Sequence, residues 1–191
     1  MTLNFTSTDI ISISGKRGSG KSVLSNIIID NLIEKGINVS ILDINNDYDI
    51  DGARRYRFKD LVEYRVFVNT ISEKAMRSGN QFLIFDDADV IIDSNRMPAN
   101  ILDLIIRGRH KNVGAMFLFR RVNTMHKEII FNANHFFIFK SKLLLDREYF
   151  NKNLDGNFDI INLKQYEFRY MNPINDLTFT GIVKDGNLIK C

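Results

Sequence analysis

Cysteine, proline and tryptophan are scarce in this chain: its 191 residues hold one cysteine, two prolines and no tryptophan. With Cys191 alone, neither an internal disulfide framework nor a cysteine-based metal site can be built. The three histidines, His110, His126 and His135, lack zinc-type spacing, and "HKE" is not HExxH, so a metal has to be held by oxygen ligands. No run of about 18 uninterrupted apolar residues is present to span a bilayer. The start, "MTLNFTSTD", lacks the basic flank and apolar segment of a signal peptide, so the expected setting is reducing and intracellular. Neither sign of charge dominates, with 26 Lys and Arg against 23 Asp and Glu. The formal net charge of +3 does not by itself establish a nucleic-acid partner, although residues 107 to 121 are locally basic.

What remains is the composition of a globular protein, 45% hydrophobic and 26% charged, of a length suited to one domain over residues 1–191. "TDIISIS", 8 to 14, reads as a buried strand ending at Gly15. A helix follows, with Leu24, Ile27, Ile28 and Leu32 on one stripe and Gly36 as its C-terminal cap. "NVSILDI", 38 to 44, is a second strand, and "NNDYDIDG" after it is turn chemistry. Residues 53 to 80 give a weaker pattern, with "EYRVFVN" as a short strand and "TISEKAMRSG" as a helix. "QFLIFDD", 81 to 87, starts with a buried strand; "PANILDLIIRG" is a helix with Pro98 in its first turn and Gly108 at its end. "VGAMFLF", 113 to 119, and "HFFIFK", 135 to 140, are apolar on both faces. Such strands alternating with helices predict an α/β fold with a mostly parallel central sheet and helices on both faces. "LTFTGIVKDGNLIK" predicts a C-terminal β-hairpin around Asp185-Gly186, an antiparallel edge on that sheet.

The stretch "GKRGSGKS", 15 to 22, fits G-x-x-x-x-G-K-[ST] between a strand and a helix. Gly15, Gly18 and Gly20 let the backbone turn its amides toward a phosphate at a helix N-terminus; Ser19 and Val23 complete the loop. Lys21 is placed to reach the β and γ phosphates of ATP and Ser22 to ligate Mg²⁺. The partner carboxylates come from "FLIFDD": Asp86 for Mg²⁺ and Asp87 as the group that polarises the attacking water, with Asp89 reading as turn chemistry. A GTPase would need a base-reading NKxD, which "NKNLD" at 151 does not supply. A small-molecule P-loop kinase stays open, because "RGRHK" or "RRYRFKD" could serve as its arginine-rich lid.

Taken in order, "GKRGSGKS", "FLIFDDAD", a helix running into "RGRHKNVGAMFLF", and "NANHFFIFK" resemble the FtsK/HerA superfamily of ring-forming ATPases. Within it they are most similar to the A32-like genome-packaging ATPases of icosahedral viruses with internal membranes. The resemblance spans roughly residues 8 to 140 and implies the additional-strand, RecA-like class of P-loop NTPase, with "VGAMFLF" inserted between the P-loop strand and the acidic strand. Where such proteins commonly place a glutamine sensor, this chain has Arg120 and Arg121; Arg120 either takes the sensor role, faces DNA or a neighbour, or pairs with the acidic residues. The resemblance also implies an arginine finger acting in trans, for which Arg107 and Arg109 are the candidates. It further implies a hexameric ring, double-stranded DNA as substrate, a capsid or vertex protein and the virion internal membrane as partners, and a place in the host cytoplasm and at the packaging vertex. Arg96, in the loop after the acidic pair, is a candidate phosphate contact; "RRYRFK", 54 to 59, is a DNA or capsid contact or a solvated face. A Zot-like assembly or secretion ATPase and a nucleotide-dependent structural switch are the alternatives.

Overall fold

The structure, a computed structural model, describes residues 3–155 and 158–191; residues 1–2 and 156–157 of the expected 1–191 domain lie outside it. Among the described residues nine strands form one sheet: β1 Ile10–Ser14, β2 Asn38–Asp43, β3 Arg54–Arg57, β4 Gln81–Phe85, β5 Val113–Phe119, β6 His135–Phe139, β7 Glu167–Asn172, β8 Leu177–Lys184 and β9 Asn187–Lys190. Their order is β3-β2-β4-β5-β1-β6-β7-β8-β9. The first six run parallel, and the last three are added antiparallel onto β6. β5 lies between β4 and β1, with Phe85 beside Phe117 and Ser14 beside Phe119. The inserted strand is therefore present.

The inner strands β1, β4, β5 and β6 are buried on both faces, and each face meets helices. On one face α1, Lys21–Glu34, buries Leu24, Ile28, Ile29 and Leu32 against Ile11, Ile13, Met116, Leu118, Phe137 and Phe139. The opposite face receives α2 Leu61–Ser78, α3 Ala99–Arg107, α4 Lys127–Asn132 and α5 Leu144–Asn153, packed over Phe85, Ala115, Phe117, Phe119, Phe136 and Ile138. α1 ends as expected, because Gly36 has φ 73° and its N–H returns to the carbonyl of Ile33. Pro98 stands just before α3, at its N-cap. Gly108 does not stop the chain from winding; a 3-10 turn over Gly108–Lys111 continues it until Asn112, at φ 56°.

One local reading is corrected, and two strands are added to those expected. "EYRVFVN" is no strand: residues 61 to 78 form the single helix α2. Asp60 caps it, its Oδ1 accepting from Val62 N and Glu63 N at 2.9 Å, while Glu63 Oε2 accepts from Lys59 N at 2.6 Å. That reciprocal cap and the buried row Tyr64, Val68, Ile71, Ser72 and Ala75 override the β-branched composition, leaving Val62, Val66 and Phe67 exposed. The basic cluster contains an edge strand, β3, where exposed arginines block further pairing; Arg55 also faces Asp49 at 3.5 Å. The tail gains a strand as well. β7 separates β6 from the predicted hairpin, and its Arg169 is tied to Asp155 at 2.8 Å and lies over the Phe158 ring. Replacing Asp60 with Ala should cost about 1 kcal/mol, since the first turn of α2 loses its acceptor. In a denaturant titration the midpoint should fall with the slope unchanged.

Candidate functional site

The carboxyl ends of β1, β2, β4 and β5 gather at one edge of the sheet, where an open α/β sheet binds ligands. Gly18 and Gly20, at φ 75° and 110°, turn the chain from β1 into α1 in conformations that a side chain rarely adopts. Lys21 opens α1 and curls back over the loop, its Nζ donating to the carbonyls of Gly15 at 2.7 Å and Lys16 at 3.3 Å. Ser19 is buried and its hydroxyl has no partner among the described residues. Ser22 and Val23, by contrast, are exposed on the first turn of the helix.

Across this loop stands the acidic pair. Asp86 is buried, and Asp87, at φ 45° and ψ 52°, turns the chain off β4 into a 3-10 turn. Both lie against Asn45, whose Nδ2 donates to Asp86 Oδ2 at 3.0 Å and to Asp87 Oδ2 at 3.1 Å. The loop carrying Asn45 is anchored by Asp43, which accepts from the backbone N–H groups of Asp47 and Tyr48. The Tyr64 hydroxyl donates to the Asp86 carbonyl at 2.9 Å, binding α2 to the same corner. Burial, reinforced by the negative charge of Asp87, pushes the Asp86 carboxyl up to about 7. Burial lowers the Lys21 ammonium, opposed by the attraction of Asp87, Asp86 and Asp89.

One cavity of about 550 Å³ is lined by Gly18, Gly20, Lys21, Ser22, Val23, Asn45, Asp86, Asp87 and Arg120. Tyr166 also lines it, its ring close against Gly20, and it lines a neighbouring cavity of about 440 Å³ rimmed by Lys16, Arg17, Lys140, Lys142 and Lys164. The chemistry of the donors suits a hard divalent cation: a hydroxyl at Ser22 and a carboxyl at Asp86 whose protonation a cation would reverse. Among the described residues no group of three or more His, Cys, Asp or Glu could hold a metal by itself. Ser22 and Asp86 are the lining residues that could hold such a cation.

The structure thus brings together Lys21, Ser22, Asp86, Asp87 and Arg120. Arg120 continues from β5 and points its Nε at Asp89 Oδ2, 3.4 Å, and Asp87 Oδ1, 3.7 Å. Asp89, expected as local turn chemistry, instead reaches across to the end of β5, accepting from Arg120 N and from the Thr124 hydroxyl. Arg107 and Arg109 do not line this cavity: Arg107 pairs with Asp103 one turn back at 3.0 Å, and Arg109 is exposed on the 3-10 turn after α3. Arg121 is exposed on the basic rim, and Arg96 sits in a tight exposed turn, its N–H bonded to Asp93. Asn45, Tyr64 and Tyr166 are the site residues that the sequence reading passed over. "NND" directly after a buried strand was a usable signal for Asn45, because neighbouring parallel strands end at one edge.

A family model described as the central domain of helicase HerA matches residues 8–156. No curated protein matches the chain. Among solved structures, the genome packaging NTPase B204 of Sulfolobus turreted icosahedral virus 2, in complex with ATP-gammaS, superposes with a TM-score of 0.77 at 18% identity, over 92% of this chain and 97% of that one. The EccC protein of Thermomonospora curvata (ATPases 2 and 3) gives 0.68 at 14% identity, over 98% of this chain and 37% of that one. The N-terminal domain of zonular occludens toxin from Neisseria meningitidis gives 0.56 at 12%, over 93% and 94%. At these identities the likeness is one of fold.

Proposed function

Given that the chain belongs to the helicase HerA central-domain family, as the FtsK/HerA resemblance of its motifs anticipated, we propose that this P-loop ATPase is a motor that translocates double-stranded DNA into a viral capsid. The observation that carries the ATPase half of the reading is the convergence of Lys21, Ser22, Asp86 and Asp87 on one cavity beside the inserted β5. Packaging as the use of that energy is supported by the fold shared with B204, a genome packaging NTPase. The motor works as a hexameric ring at the packaging vertex, in the host cytoplasm, docked on a capsid or vertex protein beside the virion internal membrane.

In this reading the amides of residues 18 to 23 hold the phosphates of ATP, and Lys21 exchanges the Gly15 carbonyl for β and γ oxygens. Ser22 and Asp86 would hold Mg²⁺, which would supply charge neutralisation on the phosphates. Asp87, steadied by Asn45, orients the water that attacks the γ phosphorus as the bond to the β-phosphate oxygen breaks. Arg109, with Arg107 beside it, reaches the site of the next subunit; its exposure at the end of α3 leaves it free to do so.

Hydrolysis measured across protein concentration, with and without double-stranded DNA, tests the proposal. Turnover should rise steeply with concentration and respond to DNA. Arg109→Ala should lower it by about 10³-fold while ATP binding is retained, the size of effect seen for arginine fingers. Turnover that ignores both concentration and DNA would identify a monomeric P-loop enzyme instead, and full turnover in the variant would remove Arg109 from the mechanism.

A further inference from the structure

Asp87 has a donor facing each of its oxygens. Oδ2 accepts from Asn45 Nδ2 at 3.1 Å, and Oδ1 faces Arg120 Nε at 3.7 Å. A carboxylate that must take a hydrogen bond from water is better served by an oxygen that no cation claims. The same Nε donates to Asp89 Oδ2 at 3.4 Å, so one guanidinium bridges two carboxylates. Asp89 does not depend on that bridge, since the Arg120 backbone N–H donates to it at 2.6 Å and the Thr124 hydroxyl donates to its other oxygen. The Arg120 side chain is 54% exposed, and among the described residues its two Nη atoms meet no acceptor. A planar fork with its outer prongs open is suited to a phosphoryl group.

Arg120 also lines the cavity that holds Gly18, Gly20 and Lys21, close enough for its charge to bear on Lys21. Two cations that repel each other across one cavity are reconciled by an anion between them. The P-loop amides fix where the inner phosphates lie, so the anion that meets both cations is the outermost one.

The geometry points to Arg120 as a switchable ligand of the terminal phosphate. Its guanidinium leaves Asp87 for the γ oxygens of a nucleoside triphosphate, and the Asp87 Oδ1 that it vacates accepts the hydrogen bond of the attacking water. The exchange is cheap on the protein side, because Asp89 keeps two donors and Asp87 keeps Asn45. A diphosphate offers no γ group to compete for the fork, so Arg120 stays on Asp87. The residue that stands where a neutral sensor is common would thus both detect the γ-phosphate and release the water-orienting group. This inference rests on the nucleotide-binding reading above.

Binding of ATPγS and of ADP, each with Mg²⁺, to wild type, Arg120→Ala and Arg120→Lys measures the switch directly by calorimetry. Arg120→Ala should weaken ATPγS by about tenfold or more and leave ADP within about twofold, as expected for loss of a charged hydrogen bond to one ligand only. Arg120→Lys should recover only part of the loss, because an ammonium cannot present two parallel donors. In wild type labelled with ¹⁵N-arginine, the Nε signal that vanishes in Arg120→Lys should move with ATPγS and stay in place with ADP. Equal weakening of both nucleotides would make Arg120 a brace of the site, and no weakening of either would show that it does not touch phosphate; both overturn the switch alone. Wild type that binds neither nucleotide would overturn the nucleotide site, and the switch with it.

Discussion

Asp86→Asn should make the protein more stable and, at the same time, strip it of magnesium-dependent nucleotide binding. The carboxyl titrates near 3.8 when solvated and at about 7 in the folded chain, where burial dominates. The folded pKa lies above the unfolded one, so between these values the unfolded chain binds fewer protons and stability declines as pH rises. Below about pH 4 the group costs nothing; above about 7 the full penalty is present, on the order of 4 kcal/mol. The amide cannot ionise and can still accept from Asn45, so the variant avoids the penalty. Thermal melts without nucleotide or Mg²⁺ should show the variant ahead of wild type by several degrees at pH 8, with the gap closing toward pH 5. Calorimetry with ADP should show Mg²⁺ strengthening binding to wild type but not to the variant. A melting gap that is the same at both pH values would mean that Asp86 is already relieved of its burial cost by some other partner.

Asp87→Asn should act chiefly on chemistry, while also releasing the Arg120 guanidinium that faces Asp87 Oδ1 at 3.7 Å. The residue sits in the left-handed region, where asparagine is as much at home as aspartate, and the new amide can turn its oxygen toward Asn45 Nδ2. Backbone and cavity should be preserved, with ADP affinity within about twofold of wild type. What disappears is the negative charge that orients and deprotonates water, so kcat should fall by about 10²- to 10⁴-fold. A fall of less than about tenfold would place the water-orienting role on another residue. Asp87→Ala is a poorer probe, since alanine at φ 45° would add backbone strain to the loss of charge.

How much of this was legible in the sequence differs from element to element. The P-loop could be read because its chemistry is contiguous: amides, lysine and serine follow one another between a strand and a helix. Asp86 and Asp87 were legible because a run as apolar as "FLIF" ends only where a buried strand ends. α2 was misread since "YRVFV" has the local preferences of a strand, and only the Asp60 cap together with packing of Tyr64 and Val68 under the sheet decides for a helix. β7 was overlooked for a similar reason: Arg169 looks solvent-directed until Asp155 and Phe158 are folded against it. Asn45, Tyr64 and Tyr166 belong to three separate stretches, and their meeting at one corner is set by strand order, which no local pattern contains. Arg120 was foreseen at the site on the strength of family resemblance, while its bridge between Asp87 and Asp89 could be seen only once β4 and β5 were paired.

The placement of β5 also limits how the molecule can deform. Its backbone is laddered to β4 on one side and to β1 on the other, so the strand bearing the P-loop and the strand bearing the acidic pair are two planks nailed to a common joist. A cleft that opened like a jaw between them would have to break every rung of one of these ladders. Displacement must instead be carried by what overhangs the joist's end: the Arg120 side chain, the turn at Asp89 and Thr124, and the Asn45 loop. A stiff frame with short overhanging parts confines displacement to small strokes at one edge of the sheet.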